Sequence, residues 1–177
     1  MSAQHSAEPN DEPNDEPNDE PNSSAFIFAL ADAAATGELG HRLASVLLPG
    51  DLVILEGDLG AGKTTLTQGM GAGLGVRGPI TSPTFVVARH HRNLHGGPSL
   101  VHVDVYRVGS FGEVDDLDLD DETAVTVVEW GAGVVDHLSD SYLHVLLKVD
   151  HGDLGEQRTA VVTGVGQGWE RLRSLSL

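Results

Sequence analysis

Residues 57–65 read Gly57-Asp58-Leu59-Gly60-Ala61-Gly62-Lys63-Thr64-Thr65. They fit the pattern G-x-x-x-x-G-K-[ST], with Gly57, Gly62, Lys63 and Thr64 at its fixed positions. The flanks give the pattern its weight. Leu52-Val53-Ile54-Leu55 is a continuous apolar run suited to a strand buried on both faces. After the loop, Leu66, Met70 and Leu74 recur at the spacing of one helical face. Strand, glycine loop and helix in that order predict a phosphate-binding loop rather than an ordinary glycine-rich turn. The glycines let the backbone close around phosphates with its N–H groups pointing inward. The helix N-terminus adds a dipole that favours anions. Lys63 supplies a point charge for terminal phosphates, and the Thr64 hydroxyl is a ligand type for Mg²⁺.

The chain has 177 residues and 40% hydrophobic content, room for one domain with a substantial core. No apolar run is long enough to span a bilayer, and the start lacks the basic and apolar regions of a signal peptide. There is no cysteine, so neither disulfides nor thiolate chemistry is available. These features predict a cytoplasmic protein without a membrane partner. The net charge is −17, with only ten Lys and Arg. Such a chain lacks the electrostatic footprint of a DNA or RNA binder. In a nucleic-acid pathway, another protein would hold the nucleic acid.

Residues 8–22 repeat Glu-Pro-Asn-Asp and carry seven acids, no base and no apolar side chain. Proline at every fourth position forbids a regular helix, and nothing there can be buried. The expected division is a disordered acidic arm over residues 1–23, read as a solubilising extension, and a phosphate-loop domain over residues 24–177.

Within the domain, Phe26-Ile27-Phe28 reads as a short strand. Thr36 reads as the cap of a helix carrying Leu39, Leu43, Val46 and Leu47. Gly69, Gly71, Gly73 and Gly75 each weaken the helix after the loop by about 0.5–1 kcal/mol relative to alanine, so packing or bound nucleotide must hold it. Thr81-Ser82-Pro83-Thr84 is a hydroxyl-rich turn, and Phe85-Val86-Val87 leads into a strand. His90, His91 and His95 lie in what reads as a solvated loop, since no acid or cysteine nearby completes a metal ligand set. Asn93 to Pro98 reads as a hairpin turn.

Val101, Val103 and Val105 alternate with His102, Asp104 and Tyr106, which puts Asp104 near the C-terminal end of a strand. Asp115 to Glu122 is acidic, but Asp121 stands where a calcium loop needs glycine, so it reads as a solvated turn. Val125-Thr126-Val127-Val128 is a second buried-strand candidate and delivers Glu129 at its C-terminal end, where open α/β sheets place functional groups. A carboxylate there, downstream of a phosphate loop, can hold Mg²⁺ or orient an attacking water. Tyr142 to Val149 and Arg158 to Thr163 read as antiparallel strands around His151-Gly152-Asp153. Trp169 to Leu177 reads as a short helix.

A GTPase would need an Asn/Thr-Lys-x-Asp motif. Leu147-Lys148-Val149-Asp150 lacks its first residue and sits inside a strand pattern. A small-molecule kinase would need a lid of clustered arginines, and the arginines here are scattered. A phosphotransferase and a non-enzymatic nucleotide sensor remain as alternatives to an ATPase.

Four motifs in order, Gly57 to Thr65, Ser82-Pro83-Thr84-Phe85, His102-Val103-Asp104-Val105-Tyr106-Arg107 and Glu129-Trp130, resemble the TsaE (YjeE) family over about residues 25–165. The resemblance implies an α/β fold of the phosphate-loop NTPase kind, three layers around a mixed central sheet. It implies a Mg²⁺-dependent ATPase of bacterial tRNA threonylcarbamoyladenosine modification, working with TsaD and TsaB and meeting tRNA only through them. By similarity, Thr64 and Glu129 would be Mg²⁺ ligands. Lys63, Asp104 and Glu129 would be the catalytic set. Gly57 through Thr65, Thr84, Trp130 and Arg158 would contact ATP, and Ser82 to Thr84 would form a switch-like loop near the γ-phosphate. The chain departs from the family pattern around Arg89 to His91, in its acidic turn and at Gly131, and it adds the repeat arm.

Overall fold

The structure is a computed structural model that describes residues 25–106, 121–133, 139–152 and 155–176. The repeat arm, Arg107, Asp115 to Asp120 and Asp153 lie outside the described residues. In chain order the elements are β1 (Ala25–Leu30), α1 (Ala33–Ala44), β2 (Leu52–Glu56), α2 (Lys63–Leu74), β3 (Ala88–His91), β4 (Ser99–Asp104), β5 (Ala124–Glu129), β6 (Tyr142–Gly152) and β7 (Gly155–Val165). Short 3₁₀ turns cover Gly131–Gly133 and Trp169–Ser176.

The strands form one seven-stranded sheet in the order β1-β7-β6-β2-β5-β4-β3. β2, the strand before the glycine loop, is central and runs parallel to β5 on one side and β6 on the other. β4 adds in parallel to β5. The two flanks are antiparallel, with β3 folded back on β4, and β7 and β1 following β6. The sheet is therefore mixed, with a parallel centre, as expected of the α/β class.

The apolar runs in β2 and β5 behave as strands buried on both faces. Val53, Leu55 and Val127 pack with Leu43 of α1 and with Leu66 and Met70 of α2. Ile54 and Val128 pack on the opposite face with Val101 and Val103 of β4. All five strand residues are fully buried, the condition for a covering layer on each side of the sheet.

The helix glycines have a packing cause. A Cβ on Gly69 would lie 2.0 Å from the Gly37 carbonyl oxygen, and one on Gly40 would lie 2.2 Å from that of Leu66. α1 and α2 thus meet backbone to backbone, and this contact holds α2 despite its weak propensity. Gly75 lies just past the helix as its left-handed C-cap, at φ +75°.

Local structure differs from expectation in two places. Thr36 is not the N-cap of α1. Asp32 is, its Oδ1 accepting the Ala35 N–H at 2.8 Å, while the Thr36 hydroxyl donates to the Asp32 carbonyl from inside the first turn. Phe85 to Val87 leads into β3, and it does so as a turn. The N–H groups of Val86 and Val87 both turn back to the Pro83 carbonyl, and Val87 takes φ +66°, so β3 begins only at Ala88. His90 and His91 belong to β3, and His91 is buried rather than solvated.

Candidate nucleotide and metal site

β2, β4 and β5 point their C-terminal ends the same way, and the glycine loop, Asp104 and Glu129 stand at those ends. Register places Leu55 and Asp104 on either side of Glu129. This is the crevice where open α/β sheets bind ligands. A cleft of about 290 Å³ opens there.

The loop turns through three glycines at positive φ: Gly57 at +139°, Gly60 at +81° and Gly62 at +110°. Gly57 is also sterically required, because a Cβ would lie 2.4 Å from the Leu147 carbonyl oxygen on β6. Leu59 stands fully out at the loop tip, while Ala61 is tucked into the core. Gly57, Asp58 and Ala61 shape the loop without lining the cleft, whereas Leu59, Gly60, Gly62, Lys63, Thr64 and Thr65 line it.

Lys63 is only 5% exposed. Its Nζ donates to the Gly57 carbonyl at 2.6 Å and the Asp58 carbonyl at 3.1 Å, and it sits 3.7 Å from the centre of the Trp130 ring. Burial pulls its pKa below the ordinary lysine value, against the opposing pull of Glu129, Asp104 and Asp58. The ammonium is folded over the space its loop encloses and is poorly hydrated, a state that a polyphosphate would relieve.

The acids are held by side chains from elsewhere in the chain. The Thr64 hydroxyl donates to Glu129 Oε1 at 3.0 Å, and His102 Nε2 meets the same oxygen at 2.8 Å. The Thr84 hydroxyl donates to Asp104 Oδ2, and Asp104 Oδ1 accepts the Tyr106 N–H at 3.0 Å. Trp130 takes φ +65° and stacks tilted on Tyr106 with centroids 5.1 Å apart. Ser82, Thr84, Asp104, Glu129 and Trp130 complete the cleft lining.

Thus ten of the fourteen residues expected at the site line one cleft, Gly57, Asp58 and Ala61 shape the loop beneath it, and Arg158 stands apart. Arg158 lies on β7 opposite Val149, three residues beyond the Leu146 that pairs with the end of β2. It overhangs the loop side of the sheet, is ion-paired with Glu156 and does not line the cleft. The reading of the residues missed His102. The signal was present, since strand alternation puts His102 on the face of Asp104, one step deeper.

The Thr64 and Glu129 oxygens suit a hard divalent cation such as Mg²⁺, which binds through oxygens and keeps several of its ligands from water and phosphate. Among the described residues, no group of three or more acids or histidines is placed to cage a metal, so bound phosphates would have to complete such a site. No helix among the described residues is long and apolar enough to cross a membrane.

A family model described as "Threonylcarbamoyl adenosine biosynthesis protein TsaE" matches residues 30–160. The chain belongs to the TsaE family. Among family members, the TsaE protein of Streptomyces coelicolor is 54% identical over 136 residues, covering 75% of this chain and 92% of that protein. The TsaE protein of Bacillus subtilis is 39% identical over 140 residues, covering 77% and 84%. Both carry the name "tRNA threonylcarbamoyladenosine biosynthesis protein TsaE". The crystal structure of Bacillus subtilis YdiB superposes with a TM-score of 0.71 at 29% identity, covering 87% of this chain and 95% of YdiB.

Proposed function

We propose that this chain is the MgATP-binding and hydrolysing component of tRNA threonylcarbamoyladenosine modification, acting in the cytoplasm with TsaD and TsaB. The family supports the pathway. The observation that carries the chemistry is the pairing of the Thr64 hydroxyl with the Glu129 carboxylate beside the loop that holds Lys63.

The loop N–H groups and the start of α2 cradle the phosphates. Lys63 leaves its carbonyl partners and neutralises terminal phosphate charge. Thr64 and Glu129 would hold Mg²⁺, which offsets charge on the phosphates when bound. Glu129 also orients the attacking water, and Asp104 is a second acid for that task. Thr84, bonded to Asp104, couples the Ser82–Thr84 turn to the phosphate end of the cleft. Arg158, ion-paired with Glu156 outside the cleft, would have to leave that pair to contact the nucleotide. tRNA meets the chain only through TsaD and TsaB, because a surface of this charge repels a polyanion.

An arginine supplied in trans is worth about 10³–10⁵ in rate in phosphoryl transfer, and no arginine among the described residues lines the cleft. The isolated protein should therefore hydrolyse ATP slowly. Steady-state phosphate release is measured for the protein alone, with tRNA, with TsaD and TsaB, and with both. Stimulation by the two proteins and not by tRNA alone is expected. Full activity alone, or turnover appearing only with a small phosphate acceptor, would overturn this reading in favour of a self-sufficient enzyme or a kinase.

A further inference from the structure

His102 is fully buried on β4 between Val101 and Val103. It pairs in register with Val127, one step deeper in the sheet than the Asp104–Glu129 pair. It does not line the cleft. Its Nε2 lies 2.8 Å from Glu129 Oε1. An ionised carboxylate only accepts, so Nε2 carries the hydrogen. Its Nδ1 is buried with no partner among the described residues.

An unpaired buried nitrogen is a cost that native cores rarely accept without a reason. Leucine would fill the same space without it. The imidazole contributes nothing to the apolar packing that a hydrocarbon would not, and its one directional contact among the described residues is to Glu129. We propose that His102 is a positioning residue for hydrolysis, acting through Glu129. It fixes the carboxylate by tethering Oε1 and leaves Oε2, which has no side-chain partner among the described residues, turned to its task. Glu129 has a second anchor in Thr64, but the proposed function gives the Thr64 hydroxyl other work once nucleotide is bound. His102 is the anchor that persists through that change. The inference rests on the ATPase reading for its consequence and on the apo geometry for its premise, so the two are tested separately.

The geometric arm uses the nucleotide-free full chain with ¹⁵N-labelled histidine. The imidazole spectrum should show His102 as the Nε2–H tautomer. An Nδ1–H tautomer would overturn the proposal. The kinetic arm compares His102→Leu, His102→Gln, Glu129→Gln and the His102→Leu/Glu129→Gln double variant, with TsaD and TsaB present. His102→Leu should lower kcat by about tenfold with KM for ATP changed less than about twofold, since a free carboxylate loses orientation rather than nucleotide affinity. His102→Gln keeps an N–H near the Nε2 position and should recover most of the rate. In the double variant the two losses should not multiply, because one residue acts through the other. Multiplying losses, or a rise in KM matching the fall in kcat, would assign His102 a merely structural role. If wild type shows no partner-stimulated turnover, the ATPase reading and the role in hydrolysis fail together, and the tautomer decides only whether His102 anchors Glu129.

Discussion

Lys63 is under opposed electrostatic pulls, because burial lowers its pKa below the ordinary lysine value while Glu129, Asp104 and Asp58 oppose the shift. A lysine with a lowered folded pKa leaves the unfolded chain binding more protons between the two values. Stability then rises with pH through that window, and below it the full penalty is present. Lys63→Met should therefore melt higher than wild type at pH 7 without nucleotide, and the gap should shrink as pH rises toward 10. Calorimetry at the two pH values checks this, and a gap that widens with pH contradicts it. The same variant should lose about ten- to hundredfold in ATP affinity, the worth of a charge-assisted contact. Glu129→Gln keeps the shape and removes the anion. ATP should still bind by calorimetric titration, while turnover falls at least about tenfold. Equal turnover would pass the role to Asp104. The loop residues were legible in the sequence because the strand, glycine turn and helix that form the loop are contiguous. The bonds from Thr64 and His102 to Glu129 were not, since they join residues 65 and 27 positions apart.

At the level of elements, glycine in α2 looked like weakness, and its purpose lies in the neighbouring helix. Propensity alone says Gly69→Ala stabilises by up to about 1 kcal/mol. The 2.0 Å approach to the Gly37 carbonyl says the reverse, because α1 and α2 must part and overpacking costs about 1–3 kcal/mol. Gly37→Ala is the control, since nothing lies within 4 Å of a Cβ there, and it should stabilise by about 0.5–1 kcal/mol. Denaturant unfolding of both variants decides the sign, and a stabilising Gly69→Ala would refute the tight interface. Period and flanks gave most strands and both helices. Local signals misled at a helix cap and at the edge strand β3, where polar His90 and His91 are held by pairing with β4 rather than by their own composition. Thr36 has the composition of a cap, yet Asp32, four residues earlier, offers a carboxylate.

For the molecule as a whole, charge was legible at once. Removing the seven acids of residues 8–22 from −17 still leaves −10. Deleting residues 1–22 should shift the melting temperature by less than about 2 °C and leave ATP affinity unchanged, because that composition offers nothing to bury. A larger loss would mean the arm docks on the domain. The sheet order was not legible, since nothing in the sequence says that β6 flanks β2 on the side opposite β5. The two tryptophans divide between the halves of this architecture. Trp169 is wedged in the core at 7% exposure, while Trp130 lies across the cleft with the Lys63 ammonium on its face. The chain is thus a two-channel optical instrument. Replacing Trp169 with phenylalanine leaves a single emitter, and its intensity should follow Lys63 as nucleotide draws the cation off the indole. Replacing Trp130 leaves an emitter that responds to unfolding and is blind to nucleotide.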